Sequence, residues 1–206
     1  MLKNSKAYLA LALVVGQVLL MLVSWLVSAA LPGSGIRSLL SSEGLRWFMG
    51  RFAQLTATPW LVWLVLLSMA WGSLVHSGLL IGARGMVRGA RERQPLGYRE
   101  QRALMLSLLL LAVIVGVMLL LTAVPHAVLL SAVGRLWPSP FSASLVPVIA
   151  FSVTLVSAFY GLVAGRFESF ADVYRAAVDG IRQGAPLFVF YVLVIQIYES
   201  LRFVLP

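Results

Sequence analysis

The stretch Leu104–Val124, LMLSLLLLAVIVGVMLLLTAV, is 21 residues long and carries no charge. The hydrocarbon layer of a bilayer is about 30 Å thick and takes roughly 20 apolar helical residues to cross. Hydrocarbon offers no hydrogen-bond partners, so a crossing chain must satisfy its peptide groups internally, as a helix does. This run reads as a transmembrane helix. It commits the chain to an all-α membrane fold.

Working outward, four more runs qualify: Tyr8–Leu31, Pro59–Ile81, Ser144–Ala164 and Pro186–Leu205. Lys3 and Lys6 precede the first run as they would in a secretory signal. Its apolar region is too long for one, however, and Leu31-Pro32-Gly33 makes a poor cleavage site. It is read as a retained helix. Composition agrees, since 61% of the 206 residues are hydrophobic and 11% charged, with mean hydropathy +0.96. A soluble domain carries about 25% charged residues. Soluble enzymes, nucleic-acid modules and disordered chains are thereby excluded. The expectation is an all-α integral membrane protein, a single transmembrane domain over residues 1–206 with five transmembrane helices and interfacial amphipathic helices. The absence of cysteine rules out disulfides, thiolate metal sites and catalytic thiols.

The formal charge of +9 is unevenly spread. With the amino terminus inside, eleven Lys and Arg fall on cytoplasmic segments and five on outer ones. Six of the eleven, Arg84, Arg88, Arg91, Arg93, Arg99 and Arg102, lie in the basic cytoplasmic loop 82–103. The positive-inside rule then places the amino terminus in the cytoplasm and the carboxyl terminus on the outer side. Two connections look helical. Leu45, Phe48, Met49, Phe52 and Leu55 share one face of Ser42–Leu55, as in a helix lying in the outer interface. Ser169 and Asp172 form a capping-box pattern ahead of Phe170, Val173, Tyr174, Ala177 and Ile181. That segment is expected along the inner surface, before Pro186 starts the last span. Prolines at 125, 138, 140 and 147 suggest a short outer loop with a half-inserted helix.

Polar groups inside the spans are few. An ionisable side chain at mid-bilayer is costly and marks function by default, yet the carboxylates all fall in connections or, like Glu199 beside Arg202, near a span end. His76 could relay protons, but a single histidine between Val75 and Ser77-Gly78 more often bonds to a neighbouring helix. Gln17 and Gln196 must find partners, either each other or another chain. Ser68–Gly72 and Gly161–Gly165 have the small-residue spacing that lets helices approach closely. No metal motif, phosphate loop or catalytic dyad is visible, so neither a cofactor nor enzymatic activity is expected.

Two groups of motifs carry a resemblance. Ser38–Trp47, followed by Val75-His76-Ser77-Gly78-Leu79-Leu80, resembles the amino-terminal part of the AbgT family, the p-aminobenzoyl-glutamate transporters. Ser139-Pro140-Phe141, Val146-Pro147, Tyr160-Gly161, Gly165 and Asp172-Val173 are similar to the middle of those transporters. The resemblance implies a dimer with an inner scaffold and a moving part built on two re-entrant hairpins. Family members are more than twice as long. Here the second span is followed by a basic loop where the family continues into the first hairpin, and the sequence stops at Pro206. The five spans look like the scaffold helices alone, so no substrate or ion residue carries over.

The expected function is accordingly a dimeric scaffold or accessory subunit, in contact with membrane lipids and with a separate membrane transport subunit, and not with nucleic acid. One alternative is a small transporter or channel with a path along an oligomer interface, past Gln17, Ser24, Ser152, Thr154 and Gln196. Another is a lipid-organising or regulatory protein acting through Arg84–Arg102.

Overall fold

The computed structural model describes residues 2–31, 33, 35–92, 97–123 and 140–205, with side chains at 2–4, 55, 87–92, 123 and 140–143 left aside. Its elements are all helices: α1 (Leu2–Ala30), α2 (Ser42–Thr56), α3 (Pro59–Ser77), α4 (Leu79–Glu92), α5 (Tyr98–Ala123), α6 (Pro140–Ala164) and α7 (Phe170–Val204). Among the described residues, five stretches are long and apolar enough to cross a membrane. The all-α, five-span expectation holds, and the chain is a multi-pass membrane protein.

The helix ends depart from the sequence reading in four places. The second span was expected to run to Ile81, but α3 stops at Ser77 because Gly78 turns left-handed at φ 73°. The Ser77 hydroxyl donates to the Leu74 carbonyl and accepts the Leu79 amide, which opens α4. The basic connection 82–103 is mostly helical, with α4 reaching Glu92 and α5 starting at Tyr98. Its Ala, Met, Arg and Glu are good helix formers. The expected surface helix at 170–181 and the last span are one helix, with Pro186 in its interior. A proline is tolerated there because neighbours in a membrane helix re-satisfy the carbonyl it frees. Finally, α6 begins at Pro140 and runs through Pro147, where the proline pattern had suggested a loop. The half-inserted helix expected around 125–139 lies outside the described residues.

Helix α2 shows how a short element uses its faces. Ser41 caps it by accepting the Gly44 amide at 3.0 Å. Gly44 and Trp47 face inward, while Leu45, Phe52 and Met49 (74% exposed) lie open to the surroundings. A helix that leaves its apolar face free suits the membrane interface.

The chain divides into two compact units, 1–62 with 185–206, and 63–184. In the first, Leu39, Phe203 and Val204 form a core covered by Leu20, Met21, Ile36 and Trp47. Trp47 stacks on Phe203 with ring centroids 4.5 Å apart. The Arg37 amide donates to the Val204 carbonyl, and Ser24 accepts the Leu39 amide while donating to the Met21 carbonyl. Tyr191 donates its hydroxyl to the Thr56 carbonyl at 3.0 Å and also meets the Thr58 hydroxyl. Those bonds fasten α7 to the corner between α2 and α3.

In the second unit, Ala103, Leu104 and Tyr160 are buried together, with Leu79, Val163 and Ala164 packed on them. Gly72 of α3 meets Ala176 and Gly180 of α7 backbone to backbone, and Gly180 lies against the Ser68 carbonyl. The small-residue spacing at Ser68–Gly72 is thus used within the chain. Gly161–Gly165 is not used that way. Gly161 receives the Phe167 ring and Gly165 ends α6 in a left-handed conformation.

Candidate functional site

Polar side chains of the second unit concentrate where α3 ends, α4 and α5 begin and α6 ends. Gly78 and Gly165, at φ 73° and 76°, occupy the left-handed region that favours glycine. Each also carries an arginine flat against it. A Cβ on Gly78 would come within 2.8 Å of the Arg166 guanidinium, and one on Gly165 within 2.6 Å of Arg99 Nη2. Arg99 Nε donates to the Val163 carbonyl at 3.2 Å, and Arg166 pairs with Glu100 at 3.4 Å. The turn itself is closed by the Arg166 and Phe167 amides, which both donate to the Gly161 carbonyl. Beneath it, fully buried Tyr160 puts its hydroxyl against Gly82. Ser77, Gly78, Tyr160, Gly161 and Gly165, singled out separately in the sequence, therefore meet in one junction.

His76 belongs to a different contact. Its Nδ1 lies 2.9 Å from the Gly72 carbonyl and its Nε2 3.7 Å from Asp179 of α7. A carbonyl only accepts, so Nδ1 is the donor in the first contact. Asp179 is paired in turn with Arg182 at 3.4 Å. The hydrogen bond stays within α3, and the approach to Asp179 joins α3 to α7.

At 35 residues α7 is about 52 Å long at 1.5 Å per residue, well beyond the hydrocarbon thickness. Its first 13 residues include Asp172, Arg175, Asp179 and Arg182 and lie outside the apolar stretch. The expected capping pattern forms in part, because the Asp172 carboxylate accepts the Glu168 and Ser169 amides at 3.0 and 3.1 Å. These backbone bonds hold the Asp172 carboxyl below the usual carboxylate range. The Ser169 hydroxyl donates to the same carboxylate.

In the first unit Gln17 donates to the Ser200 hydroxyl at 2.9 Å, closing α1 onto α7. Gln196, the partner suggested by sequence, lies one turn earlier on α7. Ser139 lies outside the described residues, and Pro140 and Phe141 open α6 with side chains not described. Sequence reasoning missed Ser200, the two arginines over glycine, and the buried hydroxyls of Ser73, Ser107 and Ser157. It also missed Gly180, although Ala176, Gly180 and Gly184 repeat at four-residue spacing and carried that signal. Among the described residues no group of three metal-ligating side chains gathers.

Among the described residues, two grooves have volumes of about 320 Å³. One runs between α5 and α6 past Val115, Met118, Leu145 and Ile149, and the other lies along Leu19, Val23, Ile36 and Leu201 of the first unit. Their walls are almost wholly carbon, which suits hydrocarbon and not a charged solute.

The model of the family described as "AbgT putative transporter family" matches residues 87–202, more than half of the chain. No curated protein and no solved structure matches it.

Proposed function

Because the chain belongs to the AbgT putative transporter family, we propose that it serves as a dimeric scaffold or accessory subunit of a membrane transport assembly. The observation carrying this reading is how the hydrogen-bonded polar side chains within the spans are used, whereas Gln17 Oε1 and the hydroxyls of Ser73, Ser107, Ser157 and Tyr160 are buried without a partner among the described residues. Gln17 bonds to Ser200, and Ser68, Thr122, Ser152 and Thr154 each return a hydroxyl to the carbonyl one turn back. Groups that satisfy their own helix, or clamp two helices, are not free to grip a solute. A coupled carrier takes its substrate near the bilayer midplane, on broken helices and polar side chains. Here Glu100, Asp172, Asp179 and Glu199 lie towards helix ends, and the grooves are apolar. A dimer is what the resemblance to the family implies. The amino terminus is placed in the cytoplasm and the carboxyl terminus in the periplasm, on the count of basic residues.

The test is reconstitution of the purified full chain. Proteoliposomes should take up p-aminobenzoyl-glutamate no faster than empty liposomes, and uncoupler-sensitive uptake would overturn the scaffold role. Purification in mild detergent should recover a dimer together with a second membrane protein. Recovery of a lone monomer would count against both partners.

A further inference from the structure

The arginines of the junction suggest a binding site of their own. Arg99 and Arg102 stand just before the apolar run that starts at Leu104, and Arg166 stands two residues after α6 ends at Ala164. Antiparallel α5 and α6 therefore bring three guanidinium groups to one level, that of lipid headgroups. Their side chains are constrained. Arg99 is fixed by its Nε bond to the Val163 carbonyl and lies on Gly165, Arg166 lies on Gly78, and Arg102 sits 5.4 Å from the centroid of the Tyr98 ring. Among the described residues Glu100 is the carboxylate paired in this cluster, and it takes Arg166. Arg99 has no carboxylate partner there, and its terminal nitrogens remain available. Among the described residues, Arg99, Arg102 and Arg166 against Glu100 leave a surplus of two positive charges.

We propose that Arg99, with Arg166 beside it, binds the phosphate of an anionic phospholipid. A guanidinium presents a planar fork of donors that matches two phosphate oxygens. Holding it on glycine backbone removes side-chain freedom that binding would otherwise have to freeze. Basic clefts between transmembrane helices recognise anionic headgroups in this manner. A lipid, and not free phosphate, is the occupant because the site sits where two spans leave the hydrocarbon. The acyl chains then follow the helices into lipid. The left-handed glycines also acquire a reason beyond turn geometry, since each gives a guanidinium a flat place to lie.

Native mass spectrometry of the full chain in detergent, titrated with phosphatidylglycerol or phosphatidylcholine, tests the site. Phosphatidylglycerol adducts should predominate, and Arg99→Gln should lower them by about fivefold, as expected for one charge at a membrane surface. Arg99→Lys should recover only part of the loss, because a point charge lacks the fork. Arg51→Gln, on α2, should change nothing. Raised salt should weaken the preference in the unaltered chain, a readout independent of any variant's folding. Equal adducts with both lipids, or an Arg99→Gln chain of unchanged preference, would overturn the proposal. Displacement of the lipid by millimolar inorganic phosphate would reassign the site to a soluble anion and overturn it equally.

Discussion

At the scale of single residues, glycine separates two effects that sequence cannot distinguish. Gly78 and Gly165 are left-handed, and each supports an arginine. Alanine at either position must adopt an unfavourable backbone and displace a guanidinium, and should cost about 1–2 kcal/mol. Gly116 is helical with nothing within 4 Å, so Gly116→Ala should gain about 0.5–1 kcal/mol. Thermal unfolding in detergent should rank the variants in that order, and equal midpoints would show that φ matters little here. Asp172 gives a pH dependence. Its carboxyl titrates lower when folded, so its stabilisation is present at neutral pH and is lost as pH falls below the usual carboxylate range. Asp172→Asn should lower stability at neutral pH, and its difference from the unaltered chain should close as pH falls through the acid range. The motif glycines were legible as residues. Arg99 and Arg166 were not, because their role arises from residues 66 positions apart meeting across two helices.

At the scale of elements, the apolar runs were readable because hydrophobicity alone determines which segments enter lipid. Their ends were harder to read. Pro186 looks like a boundary in sequence, yet α7 continues through it, and α3 stops short of Ile81 at a glycine surrounded by apolar residues. Tertiary contacts decide both. Pairings between elements were least readable, since Gln17 could have met any polar group within reach of α1. Its bond to Ser200 should contribute little. In a double-mutant cycle of Gln17→Leu and Ser200→Ala the coupling should be about 0.6 kcal/mol, the average for such bonds between membrane helices. A coupling near zero would mean that the amide's work lies elsewhere. By contrast, Gly180→Leu inserts a side chain where backbone meets the backbone of Ser68 and Gly72. No rotamer relieves that contact, so monodisperse protein should be lost, whereas Gly16→Leu should be tolerated.

At the scale of the whole molecule, orientation depends on a sum over residues and not on any one contact, so it was legible from sequence as a bias and no further. The proposed topology has eleven basic residues inside and five outside. The chain lacks cysteine, so single cysteines report without background. Ser42→Cys should react with an impermeant maleimide in intact cells, and Gly97→Cys only after the membrane is opened. The stronger test alters the sum. Replacing Arg84, Arg88, Arg91, Arg93, Arg99 and Arg102 with glutamine leaves five basic residues on each side. If charge balance alone sets orientation, both cysteines should then label in intact cells, as in a population inserted both ways. If Gly97→Cys stays protected, Lys3 and Lys6 ahead of α1 fix the topology as the first helix inserts. The six arginines would then be free of any orienting duty, and for Arg99 and Arg102 the contacts at the junction would be the remaining role.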